Sequence, residues 1–253
     1  MDYILIPLLM IAGWLVGSLV NYLSDVLPRT RRLTAAVCPS CEKPLSLLDY
    51  ILLRPCPSCG ARASIRRRVV QNLWALGLVA LWFRPPAGLG FWLTIPVFAY
   101  LSAVFVMDVE HRVVMHPVSL FGAVAGALLG IFVLNGPIST LIGGAAGFGI
   151  MFGLYLLGFV FSKIMSRIRG EEVDEVALGF GDVNLAGVLG LMLGWPRIGV
   201  VLLFAILLGG AVSLFLVIGM ALTKKYRPLT AIPYAPFLVI VAAVIFYMAR
   251  AMA

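Results

Sequence analysis

The sequence predicts an all-α fold: a polytopic transmembrane helical bundle of about eight spans with one small polar insert. Three observations predict it. Hydrophobic residues make up 62% of the 253-residue chain and charged residues only 12%, about half the charged share of a typical soluble domain. The apolar residues fall in blocks of roughly 20, the length of helix that crosses a bilayer. Between the first two blocks lies a polar segment that holds all four cysteines.

The first span covers about 3–27. Asp2 stands where a signal peptide carries basic residues, and the basic residues follow the apolar stretch, so it reads as a retained helix. Seven further apolar stretches follow, at about 69–83, 91–107, 117–134, 138–162, 182–195, 198–222 and 234–250. The chain thus divides into a first transmembrane helix (1–27), an insert (28–68) and a membrane core (69–253). Of the nineteen Lys and Arg, all but Arg84, Arg197 and Arg250 fall in segments on one side of this arrangement. Lys and Arg collect on the cytoplasmic side. The N-terminus is therefore expected outside and the insert in the cytoplasm. The net charge of +8 fits basic loops against an anionic leaflet and needs no nucleic-acid partner.

Glycines at four-residue spacing mark the middle spans: Gly122, Gly126 and Gly130, then Gly143 and Gly147, Gly149 and Gly153, and Gly190 and Gly194. Small residues so spaced let helices approach closely, and all of them are expected to serve packing. Ser18, Asn21 and Asp25 share one face of the first helix, as interhelical hydrogen-bonding groups or as a pocket wall.

Cys38-Pro39-Ser40-Cys41 and Cys56-Pro57-Ser58-Cys59 form two CxxC knuckles separated by fourteen residues. Four thiolates at this spacing suit a tetrahedral zinc ion, and the alternative is two disulfides. A cytoplasmic insert favours the metal. No spare ligand position remains, so the zinc is expected to be structural.

Two aspartates carry the chemistry. Asp108 ends the third span and Asp182 opens the sixth, inside Gly179-Phe180-Gly181-Asp182. Carboxylates at the edge of membrane spans are costly and tend to be functional. With two spans between them, both reach the cytoplasmic face. Paired there, they resist double ionisation, so one activates water while the other polarises a carbonyl. This predicts an intramembrane aspartyl peptidase. Gly179 and Gly181 leave room for a peptide beside the carboxylate. Pro233, Tyr234 and Pro236 open the last span, as a peptide dock or as a plain helix start. Asp25, Asp49, Glu42 and Glu110 are expected in headgroup water, and the acidic run from Glu171 to Glu175 in a solvated loop.

Together these residues resemble the type IV prepilin peptidases along nearly the whole chain. Gly17-Ser18-Leu19-Val20-Asn21 with Leu27-Pro28 is similar to the family's first-helix motif, and the twin knuckles to its zinc insert. Asp108-Val109-Glu110-His111-Arg112 and the GxGD segment match the stretches bearing its two catalytic aspartates. Ile232-Pro233-Tyr234-Ala235-Pro236 matches its C-terminal proline motif. The resemblance implies removal of the leader from prepilins or pseudopilins at the inner face of the bacterial inner membrane. It also implies, in many members, methylation of the new N-terminus with S-adenosylmethionine. Three positions depart from the family: His116 before Pro117, Asn184 where a Lys is usual, and Gln71 where a Glu is usual. The last bears on methyl transfer. A proton-coupled transporter using the same carboxylates, and a zinc-bearing assembly scaffold needing neither, are the rival readings.

Overall fold

The computed structural model describes residues 2–112, 115–169, 179–222 and 233–248. The acidic run from Glu171 to Glu175, Lys224, Lys225, Arg227, Ile232 and Arg250 lie outside the described residues. All eight predicted spans are helices, and no strand occurs among the described residues beyond one isolated bridge, Val37 to Pro44. Five helices are long and apolar enough to cross a membrane, and two shorter apolar helices accompany them. The protein is an all-α polytopic membrane protein. The chain forms two compact units that meet in sequence between His111 and Arg112.

The first unit contains α1 (Asp2–Thr30), the short α2 (Leu47–Ile51), α3 (Ile65–Phe83) and α4 (Gly90–His111). Helices α1 and α3 touch backbone to backbone. A Cβ on Gly13 would lie 2.3 Å from the Trp74 carbonyl oxygen, and one on Gly17 would lie 2.8 Å from Gln71 Cα. This small-xxx-small seam was not among the pairs expected from sequence. Ser64 starts α3 by accepting a hydrogen bond from the Arg67 N–H, as a good N-cap does.

The second unit contains α5 (His116–Leu129), which runs into a π-helical turn at Gly130–Leu134. It continues with α6 (Gly136–Arg169), α7 (Phe180–Leu193), α8 (Arg197–Leu222) and α9 (Ala235–Met248). Helix α7 is its axis. Every residue from Leu185 to Gly190 is buried, as befits a helix that is apolar on all sides. Gly143 and Gly190 bring α6 and α7 into backbone contact, for a Cβ on Gly190 would lie 2.1 Å from the Gly143 oxygen. Gly147 meets the Ala186 carbonyl in the same way. The expected packing role fails at Gly149 and Gly153, where a Cβ would meet nothing within 4 Å. Helix α6 also outlasts its expected end at 162, continuing through Ser162–Arg169.

Candidate active site and metal centre

Asp182 stands in the first turn of α7, and Gly179 is the N-cap in an extended conformation. The Asp182 Oδ2 accepts the Gly179 N–H at 3.1 Å, so the carboxylate closes the end of its own helix. A negative group there also suits the helix macrodipole. Asp182 is buried at 7% exposure. The intervening Phe180 packs edge-on against Phe148 and Tyr155 of α6, which fixes the entry into the helix. The Tyr234 phenol is close enough to feel the Asp182 charge. Pro233 precedes α9, while Pro236 is buried in its first turn. The proline motif is thus a helix start, and it delivers Tyr234 to the neighbourhood of Asp182. Asn184, two residues on, points some 200° away around the helix. It lines a separate cavity of about 690 Å³ with His116, Ser119 and Phe148.

Asp108, 5% exposed, lies in the last turn of α4. Negative charge at a helix C-terminus opposes the macrodipole, and Glu110 adds a second carboxylate there. The compensation comes from α3. Arg66 donates through Nε to Glu110 Oε1 at 2.8 Å and through Nη1 to Asn21 Oδ1 at 2.9 Å, and pairs through Nη2 with Asp25. Tyr50 donates its hydroxyl to the other Asp25 oxygen at 2.5 Å. Burial, and then the Asp25 charge, push the Tyr50 phenol far above its ordinary range, so it stays a donor. The Arg67 guanidinium lies 3.8 Å from the Tyr50 ring centroid, and Asn21 holds the Arg67 carbonyl at 2.9 Å. Glu110 was expected in headgroup water, and Asp25 either there or bonding between helices. Both are partners of Arg66, because α3 brings a cation against both. Asp49 likewise accepts from Ser46 and pairs with Arg54 at 3.8 Å. The stripe of Asn21 and Asp25 on one face of α1 was the available signal for this network.

The four cysteine sulfurs lie within 4.8 Å of one another. Cys38 to Cys59 and Cys41 to Cys56 are each 3.7 Å apart. A disulfide needs about 2.05 Å, so the cysteines are free thiols. Zinc–sulfur bonds of about 2.3 Å in a tetrahedron put sulfurs about 3.8 Å apart, and the donor set fits that ion. The two knuckles repeat one backbone design. Cys38 N–H reaches the Lys43 carbonyl and Glu42 N–H the Cys38 carbonyl; Cys56 reaches Ala61 and Gly60 reaches Cys56. Glu42 (φ +57°) and Gly60 (φ +71°) hold equivalent left-handed positions. Backbone N–H groups of Ser40 and Cys41 pull the Cys38 thiol down to about 6, and those of Ser58 and Cys59 lower Cys56. Both effects favour thiolates at these two positions; against the lowering Ala61 N–H, the hydrogen bond with Cys41 and burial push Cys59 up to about 12. Beside the knuckles lies a cavity of about 250 Å³ whose lining includes Asp25, Arg29, Arg62, Arg67, Glu110 and His111.

Residues 95–214 match the type IV leader peptidase family, and this stretch includes both Asp108 and Asp182. The prepilin leader peptidase/N-methyltransferase of Aeromonas hydrophila is 29% identical over 85% of this chain and 72% of its own length. The protein of that name from Bacillus subtilis (strain 168) is 25% identical over 92% of this chain and 90% of its own. A type 4 prepilin-like proteins leader peptide-processing enzyme of Escherichia coli O78:H11 is 29% identical over 70% of this chain and 63% of its own. No solved structure matches. The chain is thus similar to the type IV leader peptidase family over 95–214, and over most of its length to proteins named prepilin leader peptidase/N-methyltransferase.

Proposed function

We propose that the protein is a membrane aspartyl endopeptidase that removes the leader peptide from type IV prepilins or pseudopilins, with Asp108 and Asp182 as its catalytic pair. The observation that carries this is the family match over 95–214, which contains both aspartates, each a buried carboxylate at a helix end. One carboxylate, ionised, takes a proton from water as that water attacks the scissile carbonyl carbon. The other, protonated, donates to the carbonyl oxygen. Collapse of the tetrahedral intermediate breaks the C–N bond, and the departing amine takes a proton from the pair. Gly179 and Gly181 leave space for substrate backbone beside Asp182, while Tyr234 and the flanking Pro233 and Pro236 form one wall. The enzyme resides in the bacterial inner membrane with its N-terminus outside. The insert and both aspartates face the cytoplasm, where the chain's Lys and Arg concentrate. Arg66 holds the turn carrying Asp108 through Glu110. Cys38, Cys41, Cys56 and Cys59 bind a structural zinc that keeps the insert folded.

The relatives' printed names add N-methyltransferase, and we extend that activity to this chain as a second reading. S-adenosylmethionine supplies an electrophilic methyl group when bound. The 250 Å³ cavity is lined by both charge types: Arg29 and Arg62 stand ready for the donor's carboxylate, while Asp25 and Glu110, already paired with Arg66, would face its cationic side. Gln71, at the position where Glu is usual, is fully buried and donates to the Ile51 carbonyl at 3.2 Å. Its amide there donates to a backbone carbonyl, which an ionised carboxylate cannot do.

Co-expression with a prepilin tests the main reading. Asp108→Asn and Asp182→Asn, each alone, are expected to abolish leader removal while membrane insertion and zinc content stay normal. Normal cleavage by either variant would refute the catalytic pair. Titration of S-adenosylmethionine into the full-length protein tests the second reading: saturable binding weakened by Arg62→Ala is expected, and no binding at all rejects it.

A further inference from the structure

We propose that the middle of the tetracysteine insert, residues 45–53, is an interfacial membrane segment that sinks Leu47, Leu48 and Leu52 into the lipid leaflet beside α1. The inference rests on the spanning character of α1, and it stands whether or not the protein is a peptidase.

Depth is the first observation. The Ile51 carbonyl accepts the Trp14 indole N–H at 2.8 Å and the Gln71 amide at 3.2 Å. Trp14 precedes Asn21 on α1 by seven residues, about 10 Å at 1.5 Å per residue. Gln71 follows Arg67 on α3 by four residues, about 6 Å. The turn at Ile51 therefore lies below the polar ring of Asn21, Asp25, Arg66 and Arg67, toward the middle of α1. Interfacial segments sink roughly 5–10 Å below the headgroups, and this segment reaches the same depth.

The path of the backbone is the second. Ser46 starts α2 by capping the Asp49 N–H at 3.1 Å. Leu53 then adopts a left-handed conformation (φ +53°), and the Arg54 N–H returns to the Asp49 carbonyl at 3.0 Å. The chain goes down, turns and comes back. Its lowest carbonyl takes two side-chain donors, the provision a backbone group needs where water is scarce.

The surface is the third. Leu47 is 71% exposed, Leu48 66% and Leu52 50%. Leu15 of α1, the residue after Trp14, is also bare, at 49%. The patch thus lies at the level of a lipid-facing residue of a spanning helix. Above it stand Arg29, Arg31 and Arg32, exposed cations that complement anionic headgroups. A loop held wholly in water would leave these leucines uncovered. Lipid covers them.

Photocrosslinking of the full-length protein tests the proposal. p-Benzoylphenylalanine is placed at position 48, 52, 15 or 43, and each protein is put in nanodiscs of phosphatidylethanolamine and phosphatidylglycerol. Positions 48 and 52 are expected to give lipid adducts by mass spectrometry as readily as position 15. Position 43, on the first knuckle, is expected to give on the order of tenfold fewer. Adducts at 48 and 52 no more abundant than at 43, in protein that keeps its metal, overturn the proposal. So does crosslinking of 48 or 52 mainly to a second copy of the chain. Two test positions guard against one substitution disturbing the fold.

Discussion

The two units fix their carboxylates by opposite means. In the second, Asp182 opens α7, takes the N–H of its own N-cap and enjoys a favourable helix dipole. The surrounding helices hold it by close backbone packing at Gly143, Gly147 and Gly190. In the first, Asp108 sits at the unfavourable end of α4, beside Glu110. That turn is restrained from outside, by Arg66 and a polar network that reaches Asp25, Asn21 and Tyr50. A helix N-terminus thus accommodates an acid locally, whereas a C-terminus needs a cation from another helix. Added volume should therefore disturb the surroundings of Asp182, and lost polar partners the turn that carries Asp108.

The largest expected effect is on packing within the second unit. Gly190→Ala sets a methyl 2.1 Å from backbone and is expected to cost about 1–3 kcal/mol. Gly149→Ala, facing open space, should be neutral within about 0.5 kcal/mol. Thermal melts in detergent compare the two, and equal melting points would remove the packing half of the contrast. Arg66→Ala is next. It strips charge-assisted bonds from Glu110 and Asp25 and is expected to cost about 2 kcal/mol, slowing leader removal without lowering zinc content. A Glu110→Gln background should reduce the Arg66→Ala effect on rate, which a double-mutant cycle measures. Additive losses would show that the clamp does not act through Glu110. Chelation should unfold the insert and leave the second unit's helices intact; hydrogen exchange that loosens both units equally would contradict their independence. The smallest effect is a gain. Glu42→Gly relieves a left-handed side chain and should strengthen metal retention by about 0.5–1 kcal/mol, read by competition with a chelating dye.

Much of this was legible in the sequence because bilayer length and metal spacing are strict constraints. The eight spans and the four converging thiols follow from them directly. The GxGD aspartate at the start of a helix was equally readable. Less legible was anything that depends on which face of a helix is covered. Gly149 and Gly153 carry the same spacing as Gly143 and Gly147, yet only the latter pair meets a neighbour. Gly13 and Gly17 were overlooked although they form the tightest seam of the first unit. Glu110 looked like an ordinary terminus because its partner, Arg66, is 44 residues away, and the stripe that held Asp25 did not name Arg66, 41 residues on. The dip at residues 45–53 was hidden too, since an apolar run of that length inside a polar insert reads simply as part of it.

The bond from Gly179 to Asp182 has a practical consequence for mutagenesis. The same oxygen that would meet water in the reaction also tethers the first loop of α7. Truncation to alanine would remove a reagent and a fastening in one stroke, at a structural cost of about 1 kcal/mol. Asparagine preserves an oxygen acceptor for that amide while discarding the acid. Comparing the two replacements at position 182 therefore separates a silent enzyme from a frayed one.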